Sequence, residues 1–313
     1  MVVHEVSSRR DLLPALEHPG GAQRFRPSVL IALLGGLPPR YVGASKKEVV
    51  SMTRSAYVIA YRRDADDARA ANLATVLRHV SALPDVAVVV VEQDISPAFD
   101  APAGVEYHFI AHDGPFNKSW AMNVGFRLTD APVVGMGDAD LIMSLPEMTA
   151  AINAVAAGDF DAVKPFDRIV DLSEQETAAF REGGALPEPT TDLEGNKRGQ
   201  GEYLPFCGGL FFVTRELFAR AGGYDERFSG WGGEDDALSV KFARLGGRLG
   251  INAQRACYHL WHERSAVRYT HASYRANVDR LTFLQECTDA QLQQICDADA
   301  AEMGDPRAPI QGP

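Results

Sequence analysis

The sequence lacks the features of several protein classes. Its 4 cysteines show no C-x-x-C spacing, so they indicate neither a zinc ribbon nor a disulfide framework, and free thiols are the simpler interpretation. The best apolar stretch, residues 29–37, is far shorter than the roughly 20 residues of a membrane-spanning helix. The N-terminus has no basic start followed by a sustained apolar run. We therefore expect a soluble, cytoplasmic protein without a transmembrane segment.

Positive charge is also scarce. The chain has 31 Lys and Arg residues against 42 Asp and Glu residues, which gives a formal net charge of −11. Such a balance argues against a protein that coats nucleic acid or an anionic membrane, although it leaves room for a local basic pocket that binds a diphosphate. We expect no nucleic-acid partner.

Strand and helix patterns alternate along the middle of the chain. Residues 56–63 and the Val-rich run 86–94 are predicted to be strands, and the second has the continuous apolar pattern of a strand buried on both faces. A helix over residues 68–83 separates them, and a second helix and another buried strand follow at 119–128 and 132–140. This alternation predicts an α/β fold with a mostly parallel central sheet flanked by helices.

The second half of the chain is less regular. Ser144 and Glu147 fit a capping box that opens a helix running to Gly158. Residues 171–203 are predicted to be an irregular loop, and a loop of this length is either functional or disordered. We expect three parts, namely an N-terminal extension that can contribute a strand, a catalytic domain and a helical C-terminal tail, at residues 1–50, 51–264 and 265–313.

Two acidic residues, Asp138 and Asp140, end the buried strand of residues 132–140. Ligands of open α/β sheets gather at the carboxyl ends of strands. Two carboxylates there can hold a divalent cation and a ribose or sugar hydroxyl, and a diphosphate would bring further oxygen ligands to the metal. A solvated acidic turn is the alternative, and for this motif taken alone it is the better interpretation.

A second candidate is the pair His259 and His262, which follows a short strand pattern. Imidazoles mixed with carboxylates suit Mn²⁺, Zn²⁺ and related ions. Two histidines with this spacing converge on a turn or helix, because strand geometry would send them to opposite faces. For an isolated pair, two satisfied core histidines are the simpler alternative, and the lack of the HExxH glutamate argues against a zinc protease.

The third candidate is the segment GWGGEDD, residues 230–236, at a predicted helix start. Carboxylates in a first helical turn are favoured by the helix dipole, which explains the acids but not the glycines or the tryptophan. Glycines let a backbone approach a ligand closely, and Trp231 offers a flat apolar wall to a sugar ring. A carboxylate beside that wall could take a proton from an acceptor hydroxyl.

These motifs, together with FNKSWAMNVGF, GDADLI, CGGLFFVT and CYHLWHERS, resemble those of the β-1,4-galactosyltransferase family and its bacterial polysaccharide-synthase relatives. The same stretch is similar to the catalytic domain of polypeptide N-acetylgalactosaminyltransferases. The resemblance extends from about Ala56 to Arg264, and the order and spacing of the motifs imply the GT-A fold of nucleotide-diphospho-sugar transferases.

The resemblance implies a metal site for Mn²⁺, or Mg²⁺, on three residues. The second acid of the family's DxD motif binds the metal, which points to Asp140, and the family's metal-binding histidine falls on His262. His259 stands where the galactosyltransferases have a metal-binding Met, a departure that should harden the site and widen its choice of metal.

The resemblance also implies donor and acceptor contacts. Trp231 corresponds to the sugar-contacting Trp, and Glu234 and Asp235 correspond to acceptor-binding carboxylates. We also expect Gly233 on the acceptor side. The expected donor-binding residues are Tyr61, Arg62, Glu92, Lys118, Asn123, Asp138 and Gly209.

Asp235 occupies the position of the general base of inverting galactosyltransferases, whereas the retaining acetylgalactosaminyltransferases carry Asn there. The leading hypothesis is therefore a metal-dependent inverting glycosyltransferase that uses a UDP-sugar, with residues 171–203 as a lid. The alternatives are a retaining transferase of the same fold, a catalytically silent nucleotide- or carbohydrate-binding module, and a metal-dependent hydrolase, which lacks a recognisable nucleophile. The acceptor stays open among a glycan, a lipid-linked glycan, a peptide and a small molecule.

Overall fold

The computed structural model of the protein describes residues 3–5, 55–63, 68–186, 205–263, 272–307 and 309–310. The strands in these residues are β1 (Val3–Glu5), β2 (Ser55–Tyr61), β3 (Val86–Asp94), β4 (Val105–Ala111), β5 (Val133–Asp138), β6 (Leu141–Ile142), β7 (Ala162–Lys164), β8 (Arg168–Asp171), β9 (Leu210–Thr214), β10 (Leu249–Asn252) and β11 (Ala256–His259). The helices are α1 (Ala68–Val80), α2 (Lys118–Arg127), α3 (Leu145–Ala156), α4 (Glu174–Arg181), α5 (Arg215–Arg220), α6 (Glu234–Arg244), α7 (Ala272–Glu286) and α8 (Asp289–Glu302).

The larger sheet has eight strands in the described part of the chain, in the order β1-β10-β7-β9-β5-β2-β3-β4. Strands β5, β2, β3 and β4 pair in parallel, so their carboxyl ends lie along one edge of the sheet. Strand β9 runs antiparallel to both of its neighbours, β5 and β7. The predicted α/β fold with a mostly parallel central sheet is confirmed.

Both faces of this sheet are buried, because alternate side chains of its central strands enter two different hydrophobic clusters. In β3, Val88 and Val90 pack with residues of α1 and α3 on one face. Val89 and Val91 pack on the other face with residues of α2, α5 and α6. A strand covered by helices on both sides gains no benefit from polar side chains on either face, which accounts for the continuous run of valines.

A smaller sheet of β6, β11 and β8 lies beside the larger one. The two-residue strand β6 follows directly after the turn that ends β5, and it pairs antiparallel with β11 so that Leu141 lies opposite His259. Strand β8 pairs in parallel with β11 and places Asp171 opposite the same histidine. This short sheet therefore brings three distant parts of the chain together at the carboxyl end of β5.

The predicted capping box of Ser144 and Glu147 is wrong. Ser144 is the N-cap of α3, but its side chain makes no capping hydrogen bond, and the helix ends at Ala156 rather than at Gly158. The carboxylate of Glu147 instead accepts hydrogen bonds from Asn252 Nδ2 at 2.7 Å and Arg255 Nε at 2.8 Å. Glu147 pairs with the charged Arg255 instead of the backbone amide of Ser144, because hydrogen bonds between charged groups are stronger.

The prediction of an irregular loop from residue 171 is wrong in its first part. Asp171 is the last residue of β8, and α4 begins at Glu174 with Ser173 as its N-cap. A capping box does occur here, because the Ser173 side chain accepts from the backbone amide of Glu176 and the Glu176 carboxylate accepts from the amide of Ser173. Residues 187–204, the rest of the predicted lid, lie outside the described residues.

The two flanks of the predicted catalytic domain also contact the core of the fold. Strand β1, within the predicted N-terminal extension, pairs antiparallel with β10. Helices α7 and α8, within the predicted C-terminal tail, form a third hydrophobic cluster with residues of α6 and with Phe228. Beyond α8, the carboxylate of Glu226 accepts from the backbone amides of Gly304 and Ile310, and the Trp120 indole donates to the carbonyl of Asp305.

Buried charges also fasten α8 to the fold. The carboxylate of Asp299 accepts hydrogen bonds from Arg227 Nη2 at 2.7 Å and from Lys241 Nζ at 3.0 Å. The side chain of Lys241 is fully buried and that of Asp299 is 2% exposed. Removing the carboxylate would therefore leave a buried ammonium without its counter-charge, which is costly.

We predict that Asp299→Ala lowers the free energy of unfolding by about 3–5 kcal/mol, the usual effect of removing one partner of a buried ion pair. Urea titration followed by circular dichroism measures this loss. Asp297→Ala is the matched control, because Asp297 lies on the same helix but is exposed, and among the described residues its carboxylate accepts a side-chain hydrogen bond only from Gln293. Equal effects of the two substitutions would contradict the prediction.

Candidate active site

The three predicted metal-binding residues lie together. Asp140 Oδ2 is 3.2 Å from His262 Nε2 and 3.5 Å from His259 Nε2. One ligand atom from each of the three residues lies within 4.8 Å of the others, so the group could hold a metal ion. Both histidines are buried and the Asp140 side chain is 16% exposed, which limits competition from water.

Backbone hydrogen bonds explain why these residues meet. The amide of Leu260 donates to the carbonyl of Asp140 at 2.8 Å, and the amide of Leu172 donates to the carbonyl of His259 at 2.9 Å. The amide of Trp261 donates to Thr177 Oγ1 at 2.8 Å, and its carbonyl accepts from Asn72 Nδ2 at 3.1 Å. The turn between the two histidines is therefore held by strands β6 and β8 and by helices α1 and α4.

The remaining ring nitrogens of the histidines have partners of their own. His259 Nδ1 lies 3.3 Å from Asp171 Oδ1, and His262 Nδ1 lies 2.9 Å from the carbonyl oxygen of Glu263. Because a carbonyl oxygen can only accept, His262 Nδ1 donates this hydrogen bond, and the other ring nitrogen, Nε2, is directed at Asp140. Carboxylate–histidine pairs of this kind orient metal ligands in proteins.

The chemistry of this donor set fits a divalent cation. Two imidazole nitrogens that face one carboxylate oxygen at 3.2 and 3.5 Å need protons or a cation between them and that oxygen. Burial alone would raise the pKa of Asp140, but the neighbouring His259 and His262 hold that pKa well below its ordinary value, so the carboxylate is ionised. One carboxylate oxygen and two imidazole nitrogens are a suitable ligand set for Mn²⁺ or a later first-row ion.

Lys118 joins the DxD turn to the start of α6. Its Nζ lies 2.8 Å from Asp138 Oδ1 and 3.2 Å from Asp235 Oδ1, and Glu234 Oε1 is 3.9 Å away. Lys118 is the first residue of α2, where the side chain of the N-cap Asn117 accepts from the backbone amide of Trp120. The three carboxylates hold the pKa of Lys118 well above its ordinary value against the effect of burial, so it carries its charge.

Asp235, the predicted general base, has a pKa close to neutrality. Burial is the main cause: it raises the pKa to about 7, while Lys118 acts in the opposite direction and Glu234 and Asp138 add to the increase. The Tyr224 hydroxyl donates a hydrogen bond to Asp235 Oδ1 at 3.4 Å. Burial likewise raises the pKa of Glu234, and it raises that of Asp236 to about 7.

A backbone hydrogen bond joins two of the predicted donor-binding residues, Asp138 and Gly209. The amide of Asp138 donates to the carbonyl of Gly209 at 3.1 Å. Gly209 has a φ of +87°, and an added Cβ would lie 2.9 Å from Leu141 Cδ1, so another residue would strain the backbone here and push the Leu141 side chain aside. Tyr61 ends β2, its ring packs against Phe99, and burial raises its pKa to about 12.

The structure gives two other predicted donor-binding residues different partners. Glu92 is fully buried, and its carboxylate accepts from the amides of Ala98 and Phe99 and from the Tyr107 hydroxyl. This carboxylate therefore holds the loop that follows β3, and its placement does not support a contact with the donor.

Asn123 is the second such residue. It is also fully buried, and it bonds to both the amide and the carbonyl of Tyr224 and to Glu226. It fastens the segment before GWGGEDD, so the prediction of a direct donor contact is not supported. Arg62, by contrast, lies just beyond β2 and donates to the carbonyl of Gly114.

The predicted acceptor-side residues lie on the loop that starts α6. Trp231 is 43% exposed, although large apolar side chains are usually buried. Gly233 is the N-cap of α6 with a φ of +93°, and an added Cβ would lie 2.8 Å from the Phe228 ring. A residue with a side chain would be strained here, which explains the second glycine of the GG pair.

Sequence reasoning missed Asp171, Tyr224 and Lys164. Lys164 ends β7 with its side chain buried, donates to the carbonyl of Pro205 at 2.8 Å, and has a pKa lowered by burial to about 8. The Asp235 carboxylate is one of the charges that act on it. A lysine at a strand end usually keeps its ammonium in water, so nothing in the local sequence indicated a buried cation.

Comparisons with known proteins bear on this geometry. A family model described as the N-terminal domain of galactosyltransferase matches residues 195–263. The validoxylamine A glucosyltransferase of Streptomyces hygroscopicus subsp. jinggangensis is 27% identical over 229 residues, which cover 62% of this chain and 52% of the relative. Human chondroitin sulfate N-acetylgalactosaminyltransferase 2 is 29% identical over 174 residues, which cover 54% of this chain and 31% of the relative.

Among solved structures, the fold is similar to the crystal structure of GalNAc-T7 with UDP, GalNAc and Mn²⁺, with a TM-score of 0.50 and 13% sequence identity over 79% of this chain and 55% of that one. The fold is therefore the GT-A fold, as predicted, and the resemblance to glycosyltransferases is confirmed. The chain spans about half the length, or less, of the curated relatives that it matches. None of the described helices is long and apolar enough to cross a membrane.

We predict that Asp140→Asn and His262→Ala each abolish Mn²⁺ binding, because either change removes one of three ligands from a site that has few. Isothermal titration of the purified chain with MnCl₂ measures the affinity. His108→Ala is the matched control, since His108 is half-exposed and pairs only with Glu106 in the described residues. Unaltered Mn²⁺ binding by both site variants would disprove the metal assignment.

Proposed function

We propose that this protein is a metal-dependent, inverting glycosyltransferase that moves a sugar from a UDP-sugar to an acceptor hydroxyl. The observation that carries the proposal is the position of Lys118, whose ammonium is 2.8 Å from Asp138 and 3.2 Å from Asp235. Asp138 is two residues from the candidate metal ligand Asp140, so the metal site and the candidate base lie on either side of one side chain. A donor and an acceptor could therefore meet there.

The GT-A fold supports a nucleotide-sugar donor, and the GalNAc-T7 structure was determined with UDP and Mn²⁺. The cation would neutralise the diphosphate as its bond to the sugar breaks. Two imidazoles in the candidate site favour Mn²⁺ over Mg²⁺, which prefers oxygen ligands and keeps much of its water. Lys118 and Asp138 would hold the sugar end of the donor beside this site.

Asp235 supports the inverting course. A general base works best when its pKa is near the operating pH, and burial brings the Asp235 pKa to about 7. Asp235 would take the proton from the acceptor hydroxyl as the hydroxyl oxygen attacks the sugar carbon from the side opposite the diphosphate. A single displacement of this kind inverts the configuration at that carbon.

The free, buried state of all four cysteines supports a further proposal, that the protein works in a reducing compartment such as the cytoplasm. The candidate acceptors are a glycan, a lipid-linked glycan, a peptide and a small molecule.

The test combines a donor screen with one pair of variants. Thermal shift with several UDP-sugars, with and without Mn²⁺, identifies the donor, and UDP release in the presence of acceptor candidates measures transfer. We predict that Asp235→Asn keeps donor binding but lowers transfer by about 10²–10⁴-fold, the usual contribution of a general base. Asp236→Asn makes the same chemical change one position along α6, and we expect it to retain most of the transfer activity.

The anomeric configuration of the product, read by NMR, then separates the inverting proposal from a retaining transferase of the same fold. Full transfer activity in Asp235→Asn would show that another residue is the general base. Donor binding without transfer to any acceptor class or to water would favour a silent binding module.

The pH dependence gives a separate prediction. Asp235 can accept a proton only when it is ionised. The rate of transfer should therefore reach its maximum above a pH of about 7 and fall about tenfold per pH unit below it. The measurement is kcat/KM for the donor across pH 5 to 9, expressed relative to the value at high pH. Because Asp236 also has a pKa of about 7, the profile of Asp236→Asn decides which carboxylate is responsible. Loss of the acid limb in that variant would assign the limb to Asp236.

A further inference from the structure

Helix α7 contacts the GWGGEDD segment along one of its faces. The residues of this face are Tyr274, Asn277, Arg280, Leu281 and Leu284, and their spacing of three or four positions places them on one side of the helix. Arg280 Nε donates to Asp225 at 2.8 Å, and Leu281 and Leu284 pack with Phe228. The family model ends at residue 263, so α7 lies outside the matched region.

Asn277 holds the loop through its backbone. The side chain is buried, and its amide nitrogen donates to the carbonyls of Ser229 at 3.1 Å and of Trp231 at 3.3 Å. Its oxygen accepts from the amide of Ser229 at 3.3 Å. One side chain on α7 therefore fixes the backbone on both sides of Gly230.

Tyr274 holds the same loop through a ring. Its ring stacks on the Trp231 indole with centroids 5.7 Å apart and an angle of 22° between the planes. An added Cβ on Gly232 would lie 3.3 Å from Tyr274 Cε2, so the tyrosine also lies against the backbone there. Offset-stacked aromatic pairs at this distance attract each other.

The glycines of the GWGGEDD segment give its backbone much conformational freedom, so contacts with other elements are needed to order it. Gly230, Gly232 and Gly233 have φ values of +73°, +100° and +93°, and glycines lose more conformational freedom on ordering than any other residue. Trp231 is 43% exposed, so only part of the indole is packed against the protein to offset that loss. We therefore expect the contacts with α7 to restrict the orientation of Trp231.

We propose that Tyr274 and Asn277 are positioning residues that hold Trp231 in the orientation in which it binds the acceptor. This inference rests on the proposed transferase function, and within it α7 determines how well an acceptor ring is held while the donor and metal sites are left to other elements. Trp231 is 43% exposed with the tyrosine stacked on it, and an acceptor ring would bind its exposed part, on the loop that leads into Glu234 and Asp235 at the start of α6.

The first measurement requires neither donor nor acceptor. All variants carry Trp261→Phe, which leaves Trp231 and the buried Trp120 as the two tryptophans of the chain. Quenching then reports mainly on Trp231. In this background, Tyr274→Ala should raise the acrylamide quenching constant of Trp231 about twofold, because the indole face covered by the tyrosine becomes accessible. Tyr274→Phe keeps the ring and should leave quenching unchanged, as should Arg275→Ala, an exposed neighbour on the same helix. Equal quenching in Tyr274→Ala and its parent would overturn the proposal.

The second measurement separates positioning from a general structural role. With p-nitrophenyl glycosides as probe acceptors, Tyr274→Ala should raise the acceptor KM about 3- to 10-fold, the contribution of one aromatic stack, with Tyr274→Phe restoring it. The donor KM, kcat and Mn²⁺ affinity should stay at their original values. Asn277→Asp, which keeps the acceptor for Ser229 but loses both donors, should act in the same direction.

Parallel loss of kcat or of donor affinity in Tyr274→Ala would overturn the proposal by showing a general structural effect, and so would a Tyr274→Phe variant that behaves like Tyr274→Ala. Failure of the wild-type chain to use any donor or acceptor would instead refute the proposed function, and the quenching result would still decide whether α7 holds Trp231.

Discussion

One ammonium group balances three carboxylates at the centre of this molecule. Asp138, Glu234 and Asp235 all lie within 4 Å of Lys118 Nζ, and the side chains of Glu234 and Asp235 are mostly removed from water. Burial is the main cause of the raised pKa values of Glu234 and Asp235, and the neighbouring carboxylates, which outnumber the one ammonium, add to the increase. The position of Lys118 in turn depends on α2, which Asn117 caps and which packs against β2 and β3. A cationic or proton-donating ligand is thus favoured in this region, and a metal ion at Asp140 would reduce the imbalance further.

The sequence predicted the sheet well, because a strand buried on both faces needs an unbroken apolar run and residues 86–94 contain one. The S-x-x-E pattern alone did not predict which helix starts with a capping box. Ser144 and Ser173 each precede a glutamate by three positions, yet only Ser173 forms the capping box, because Glu147 has Asn252 and Arg255 as tertiary partners. Such partners are distant in the chain, so no local pattern reveals them.

The candidate site shows the same limit. The resemblance to galactosyltransferases pointed to Asp140, His259 and His262, and the short β6–β11 pairing brings them together. It also pointed to Glu92 and Asn123, whose polar atoms are taken up by hydrogen bonds inside the protein. A polar residue at a strand end or on a helix can bind a ligand or hold the fold together, and the residue type alone does not distinguish these two roles. Only the set of groups around it distinguishes the two.

The contacts of Glu226 have a practical consequence for shortened versions of this chain. Its carboxylate accepts from Asn123, Gly304 and Ile310, and burial raises its pKa. A truncation that removes the last ten residues would leave this carboxylate buried with one of those three donors, and it would free the Trp120 indole of α2 from the carbonyl of Asp305. Because α2 begins at Lys118, an end trimmed for crystallisation would disturb the helix that carries the central ammonium. Purification tags are therefore better placed at the other terminus or after a linker that preserves residue 310.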